Sequence, residues 1–568
     1  MTADGLALLQ RLGYPDDWLA EARNYSPGDA YVVFDPDWAE EIPQVPEDTV
    51  DLIIRRHAEH RAAAQALIYL DRTLRYGELD DLIGRAAAVL REKGVGRGNV
   101  VAVMVPTSAM HWVVFFAIAR LGAIHCGVNV MFRKDELKLL FEDAQPSALV
   151  CLDHFLPVVD QISKSSKPTT VFSVSLRDLA DPEFQPYPSL TEWWSPAAER
   201  GAGAISLLEA MDQAVPVHEG AEVDARAEIG QIVYTAGTTG KPKGVVQSHF
   251  NLIHNAITHT IVMPTIQRPV TYSALPLFHT GGFFVYSMPT FVRGGTVIPR
   301  PLFDPRDALA CIENHAVNVF FGPPTLFTAL LSYGLDSVDL TSLKVCATGA
   351  APIPSALPVQ WEAATGQVLW GGWGMSELNS LGTYNGLPGR PAPGTLGVPV
   401  VGEVRIVVDA QVAARGQEGE IEYRGMQVSK GYLGKPAETE AAFRPDGWFR
   451  TGDVGRIDDQ GFLHYVDRQK DIIVASGYNI SPAEIERVLL SHPAISEAAV
   501  VGAPHDYRGE VPIAFVVGDV TAEEVQAFCR DRLAAIKVPD RTVVLDQLPK
   551  NTMGKTLKRN LLTTGSGR

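Results

Sequence analysis

The chain has 568 residues, 46% of them apolar, with 66 acidic against 49 basic residues and a net charge of −17. That length predicts three or four domain-sized units, and the acidic balance excludes a general nucleic-acid or anionic-membrane binder, because both attract basic surfaces. Five cysteines with no C-x-x-C pair exclude a disulfide framework and a zinc site, which leaves them as small buried hydrophobes. Met1-Thr-Ala-Asp-Gly-Leu6 has neither a basic n-region nor an apolar h-region. The longest apolar stretch, His111–Phe132, is broken by Arg120 and His125, so it reads as a core helix and strand rather than a membrane span. A cytoplasmic protein is expected.

Residues 1–50 are rich in aromatics and proline without a clear period and read as a segment draped over the main domain. Gly77–Lys93 places Leu79, Leu82, Ile83, Ala86, Val89 and Leu90 on one helical face and ends at Gly94. Asn99–Val105 is a continuous apolar run stopped by Pro106, as a strand buried on both faces would be. A helix over about Ala109–Leu121 and a strand near Ala148–Cys151 follow, and this alternation predicts parallel α/β layers. Residues 178–225, with Trp193-Trp194 among Pro, Glu and Ser in no stable period, read as an irregular insertion, either over a cleft or passive on the surface. Ser248 can cap a helix carrying Leu252, Ile253, Ala256, Ile257 and Ile261. Alternation resumes through Leu343–Ala347 and gives way from about Gly394 to shorter β-like runs at Val404–Val408 and Gly419–Tyr423. Ser481-Pro-Ala-Glu484 has the form of a capping box with proline at the first helical position, inside a small α+β unit. The predicted fold is α/β: a large domain of layered α/β subdomains plus a β-rich subdomain over residues 1–467, and a small α+β domain over 468–568.

Four stretches carry chemistry. Tyr234-Thr-Ala-Gly-Thr-Thr-Gly-Lys-Pro-Lys-Gly244 sets three threonines, three glycines and two lysines between an apolar run and a helix-like stretch. Glycine permits close approach to the main chain, successive N–H groups in such a turn make an anion-binding concavity, and Lys241 and Lys243 supply charge suited to a polyphosphate. It is not a Walker A loop, since Thr235 stands five before Gly240 and Pro242 follows Lys241. Trp370-Gly-Gly-Trp-Gly-Met-Ser-Glu377 joins an aromatic in a glycine-rich turn, able to stack on a base, to a carboxylate able to hold Mg2+. Asp446-Gly-Trp-Phe-Arg-Thr-Gly-Asp453 ends on a carboxylate that can accept from two vicinal hydroxyls, though it also suits a plain turn. Pro549-Lys-Asn-Thr-Met-Gly-Lys-Thr-Leu-Lys558 is a lysine-rich C-terminal run. His249, His254 and His259 have no metal-ligand spacing with a carboxylate partner and read as structural, and there is no G-x-S-x-G elbow.

In order and spacing these motifs resemble the adenylate-forming superfamily of acyl-CoA synthetases, peptide-synthetase adenylation domains and luciferases, from Thr235 to Lys555 and more loosely before residue 230. The resemblance implies ATP, Mg2+ and coenzyme A. Thr235, Gly237, Thr238, Thr239, Gly240 and Lys243 would hold phosphates, and Gly349, Ala350 and Ala351 would meet adenine and the acid. In the motif similar to the family's Y-G-x-T-E, Trp373 replaces tyrosine and Ser376 replaces threonine. Trp373 and Gly374 would contact adenine, Ser376 the phosphates and Glu377 the metal. Asp453 and Arg468 would hold the ribose. Lys555, with Glu377, Thr238 and Lys243, would be catalytic, and His279, Phe283, Phe327 and Gly349 would line the acid pocket.

Asp467-Arg-Gln-Lys-Asp471 resembles the family's hinge, with Lys470 as pivot of a mobile C-terminal domain, and Gly477, Tyr478 and Asn479 would line a thiol tunnel. The implied reaction forms an acyl-adenylate with release of pyrophosphate, then passes the acyl group to a thiol. Transfer to an amine or a carrier protein, nitrite-activating diazotase chemistry, and a silent nucleotide-binding pseudoenzyme remain alternatives. A small-molecule acid is the expected partner, without nucleic acid or a membrane span, and a homodimer is left open.

Overall fold

The computed structural model describes residues 45–194, 203–235, 242–263, 266–335, 338–351, 353–354, 356–386, 391–475, 478–505, 508–550 and 556–564. The expectation for residues 1–50 therefore falls, up to residue 44, outside the described residues. Val100–Met104 is buried along nearly its whole length and pairs in parallel with Ile124–Gly127 and Ala148–Leu152. Both faces of such a strand are covered, which is why it reads as an unbroken apolar run. Helix α1 (Ala109–Arg120) follows, capped by the Ser108 side chain accepting from the His111 N–H. Every residue of α1 is buried. Arg120 tolerates this because its guanidinium pairs with Asp51 at 2.9 Å and with Asp80.

These strands belong to an eight-stranded sheet ordered Gly431–Tyr432, β2 (Lys243–Ser248), β1 (Ile229–Thr235), Ile124–Gly127, Val100–Met104, Ala148–Leu152, Thr170–Val174 and Ile205–Ser206. Within segment 178–225, Ile205–Ser206 forms the far edge strand, and Val217 N–H bonds to Gly84 O at 3.0 Å, so these described parts pack onto the first sheet and its helix. Helix α2 (His249–Thr258) leaves β2 with Ser248 and Asn251 in a reciprocal capping box. A second, nine-stranded sheet has a parallel centre, Val270–Ser273, Thr296–Pro299, Val319–Gly322, Val345–Thr348 and β3 (Leu369–Met375), with antiparallel strands at both edges. Aromatic side chains fill the space between the sheets: Phe283 packs edge-on to Trp112 at 5.2 Å and lies 4.6 Å from Phe115.

The Gly431–Tyr432 edge strand of the first sheet is β4. A five-stranded antiparallel sheet with its own core contains β5 (Phe449–Ile457) and β6 (Leu463–Arg468), and is the β-rich unit expected from about Gly394. Beyond β6 a small α+β unit has separate cores under Ile495–His505 and Gly509–Gly518. Its helix α3 (Pro482–Leu490) is capped by Ser481, as expected, but Glu484 does not close the box: both its oxygens take Lys537 Nζ at 2.7 Å. All five cysteines are buried and free. Among the described residues no helix is long and apolar enough to cross a membrane.

Candidate active site

The glycine-rich loop connects β1 to β2, which pair antiparallel with Thr235 opposite Lys243. It is thus the tip of a β-hairpin, and a strand follows it where a helix-like stretch was expected. The alternation Lys243-Gly-Val-Val-Gln-Ser248 is too short and too close to Pro242 to show this on its own. Gly237, Thr238, Thr239 and Gly240 lie outside the described residues. Thr235 Oγ1 donates to Lys243 O at 3.5 Å, holding the two stems of the loop together. Lys243 Nζ lies 4.9 Å from the centroid of the Tyr432 ring, within cation–π range.

Strand β3 delivers the second motif to the same place. Gly374 is required there, since a Cβ would sit 1.7 Å from Ser380 O on the neighbouring strand. Past it the chain turns through Ser376–Leu378. Gln247 Nε2 donates to Ser376 O at 3.1 Å and Ser429 N–H to Glu377 O at 2.8 Å, which pins this turn to β2 and to the segment entering β4. The Tyr432 hydroxyl donates to Glu377 Oε1 at 2.9 Å. Burial raises the Glu377 carboxyl above its ordinary range, while its own backbone, the Tyr432 hydroxyl and Arg468 oppose the shift. Among the described residues no three metal-ligating side chains cluster. A single carboxylate of this kind fits Mg2+, which is held through one or two carboxylates plus phosphate oxygens and its own water.

The surroundings of Asp453, the carboxylate expected to hold the ribose, are built from three strands. Asp453 on β5 is 3% exposed, and its Oδ2 accepts from Trp373 Nε1 at 2.8 Å while Arg468 Nε lies 3.2 Å from Oδ1. Trp373 differs from expectation. Its ring is 8% exposed and packs among Leu378, Val404, Ile406, Ile421, Tyr423 and Phe449 in the core of the five-stranded sheet. The indole thus orients the carboxylate instead of standing free to stack on a base. Tryptophan can do this where phenylalanine could not, because its N–H is a donor.

The loop after Val345–Thr348 carries Gly349, buried, and Ala350 at φ +65°, followed by half-buried Ala351. His279 caps Thr280–Phe284 with its backbone, and burial pushes its imidazole down to about 4. Phe283, on that helix, lies in the intersheet core touching His111 and His125. Phe327 does not join them. It packs against Phe320 and Trp361, in the core on the opposite face of the second sheet. Side chains alternate along a strand, so Phe320 faces Phe327 while half-buried Phe321 faces Tyr286 at 5.5 Å, on the His279 side. His249, His254 and His259 are buried within α2 and the turn after it; His259 bonds to Phe284 O and Leu381 O.

Lys470 is exposed in the single turn Gln469–Asp471 between β6 and the small α+β unit. Asp467, before that turn, accepts from Ser481 Oγ at 2.7 Å and Ala483 N–H at 2.8 Å, after it. Tyr478 and Asn479 belong to the short strand Tyr478–Ile480. Gly477 and Lys555 lie outside the described residues. Tyr432 was missed by sequence reasoning; its only signal is an aromatic after a glycine that must adopt φ +123°.

With this geometry in view, the comparisons are decisive. The AMP-binding enzyme model matches residues 54–433, and the model of the AMP-binding enzyme C-terminal domain matches residues 484–555. The chain belongs to the AMP-binding enzyme family. A long-chain-fatty-acid–CoA ligase of Bacillus subtilis is 33% identical over 564 residues, covering 96% of this chain and 97% of the relative. A feruloyl-CoA synthase of an Amycolatopsis species is 31% identical over 511 residues, covering 89% and 96%. Among solved structures, ATP-bound MatB from Rhodopseudomonas palustris superposes with a TM-score of 0.80 at 29% identity, covering 91% of this chain and 99% of that one. This family member is an enzyme of the AMP-forming acid–thiol ligase class, close to acyl-CoA ligases.

Proposed function

We propose that the chain activates a carboxylic acid with Mg·ATP and passes the acyl group to the thiol of coenzyme A. In the first half-reaction an acid oxygen forms a bond to the α-phosphorus, the bond to the β-phosphate oxygen breaks, and pyrophosphate leaves. In the second the thiol sulfur bonds to the acyl carbon, AMP leaves, and the thiol proton goes to solvent. The observation that carries this reading is a chain of contacts between charged groups: Lys243 lies over the Tyr432 ring, the Tyr432 hydroxyl reaches Glu377, and Glu377 feels the charges of the paired Arg468 and Asp453. Lys243 with Glu377 suits the polyphosphate, and Asp453 with Arg468 the ribose. A divalent cation on Glu377 would neutralise charge on the polyphosphate. Thr235, Thr238, Thr239, Gly237, Gly240 and Ser376 are assigned to the phosphates, and Lys555 to the charge that builds between acid oxygen and α-phosphate. Rotation of residues 468–568 about Lys470 would withdraw Lys555 and bring Gly477, Tyr478 and Asn479 to the thiol path.

The acid pocket is assigned to His279, Gly349 and Ala350, with Phe321 and Tyr286 taking the place expected of Phe327. Two relatives that carry fatty and feruloyl acids in their names support an apolar acid, with coenzyme A as the acceptor. The test is mass spectrometry of products from ATP, Mg2+ and a panel of fatty, aromatic and inorganic acids, nitrite included, with and without coenzyme A. Acyl-CoA formation with AMP is the expected outcome; adenylates that accumulate but never reach coenzyme A would overturn the choice of acceptor.

A further inference from the structure

Tyr432 occupies a seat that its backbone alone does not explain. Strand β4 is two residues long, paired to β2 with Tyr432 opposite Val245. On either side Lys430 N–H bonds to Val246 O and Leu433 N–H to Gly244 O, both at 2.8 Å. Thr439 Oγ1 takes the Tyr432 N–H at 3.0 Å, and Gly431 must be glycine, because a Cβ there would meet Thr439 Cγ2 at 2.4 Å. Phe443 backs the ring edge-on at 5.5 Å. These contacts would hold a phenylalanine equally well. The hydroxyl and the free face do something else: the hydroxyl reaches Glu377 Oε1 at 2.9 Å and the ring faces Lys243 Nζ at 4.9 Å. The same ring lines an open cleft of about 250 Å³ with Lys243, Arg450, Glu420, Glu438 and Gly452, and Lys243 is half-buried at its edge.

We propose that Tyr432 is a positioning residue for both charges of the polyphosphate site. Its hydroxyl fixes the Glu377 carboxylate in the orientation that receives a divalent cation, and its ring fixes the Lys243 ammonium beside it. The inference rests on the reading of Glu377 as the metal carboxylate. A hydroxyl on one carboxylate oxygen leaves the other to the cation and stops the group from rotating, the role that supporting hydrogen bonds play around metal ligands. The ring holds the lysine by its quadrupole without neutralising it, which a carboxylate partner would do.

The experiment measures Mn2+ affinity by electron paramagnetic resonance on the full chain with α,β-methylene-ATP, and separately the affinity of that nucleotide without metal. Tyr432→Phe keeps the ring and should weaken Mn2+ binding about 10-fold, the scale of losing a group that orients a metal ligand. Its metal-free nucleotide affinity should stay within about twofold, because the contact with Lys243 survives. Tyr432→Leu should lose metal affinity as well and weaken metal-free nucleotide binding several-fold. Should that variant not fold, Lys243→Met tests the same contact from the other side. If Tyr432→Phe binds Mn2+ like the parent while Glu377→Gln does not, the positioning role is overturned and the reading of Glu377 stands. If Tyr432→Phe loses metal-free nucleotide affinity as strongly as metal affinity, the residue is merely structural. If Glu377→Gln leaves Mn2+ affinity unchanged, the assignment of the metal carboxylate itself is refuted.

Discussion

Mild acid should unfold the first sheet of this protein well before its carboxylates protonate. His111, His249, His254 and His259 are buried, and burial lowers them to about 4, 4, 3 and 4; His125 is lowered for the same reason. A ring with a folded pKa below its unfolded value binds its proton more readily in the unfolded chain, so stability falls as pH drops from about 6.5 towards 4. For a folded value near 4 against 6.5 unfolded, the loss is about 0.8 kcal/mol at pH 6 and about 2 kcal/mol at pH 5. Four rings together lose about 8 kcal/mol at pH 5, most of the 5–15 kcal/mol available to an ordinary domain. Glu377 and Asp307, raised by burial, oppose this, but the lowered histidines outnumber them, His279 adding to the five above. Urea unfolding followed by tryptophan fluorescence at pH 8, 7, 6 and 5 measures the slope, since Trp112 lies on α1 beside His111. The midpoint concentration should hold between pH 8 and 7 and collapse between 6 and 5. A stability constant down to pH 5 would refute the reasoning, because the buried rings would then be accepting protons without cost.

Trp373→Phe deletes the N–H on Asp453 while keeping an aromatic; a hydrogen bond to a charged group contributes about 1.5–3 kcal/mol, part of which should appear as roughly 10-fold weaker AMP affinity by calorimetry. Unchanged affinity would return Trp373 to a packing role alone. Lys555→Ala should slow adenylation by about 10²–10³-fold, the scale of losing one preorganised charge-stabilising donor, yet leave thioester formation from supplied acyl-adenylate nearly intact. Equal loss in both half-reactions would exclude the role proposed for it. Asp467→Ala removes the carboxylate that caps α3 across the Gln469–Asp471 turn; a lost cap costs about 0.5–2 kcal/mol, and cleavage by trypsin near Arg468 and Lys470 should accelerate accordingly.

What could be read from the sequence was what local pattern determines. Helix α1 and the strand before it were legible because burial on all sides leaves a continuous apolar run with one capping serine. The glycine-rich loop stood out by composition, whereas Asp453, which alone suits a plain turn, was singled out only by the resemblance. Contacts that depend on pairing between distant segments were not. Tyr432 and Glu377 are 55 residues apart and meet only because β4 adds to the edge of β2. That Phe327 packs apart from His279 and Phe283 was hidden for a related reason: neighbouring positions on a strand face opposite sides, so whether Phe320 or Phe321 shares its core turns on a one-residue register that composition does not encode. Trp373 kept the family's aromatic position but turned inward, because the same core receives both its ring and the strand bearing Asp453.

The charge of the whole chain and that of its site make opposite demands. A protein of net charge −17 repels a tetra-anionic nucleotide at long range. Over about 8 Å at physiological salt that repulsion is screened, so the balance within the cleft decides binding. Among the groups proposed to meet the nucleotide, Arg468 already faces Asp453, and Lys243 faces a ring. On the proposed reading Lys243 keeps its charge for phosphate, while Glu377, linked to it through the Tyr432 side chain, adds a negative charge for the metal. A site so built should favour a nucleotide that arrives with its cation over one that arrives bare. The Tyr432 seat keeps the two charges apart: had Lys243 paired directly with Glu377, each would have cancelled the other, leaving neither the phosphate nor the metal a partner.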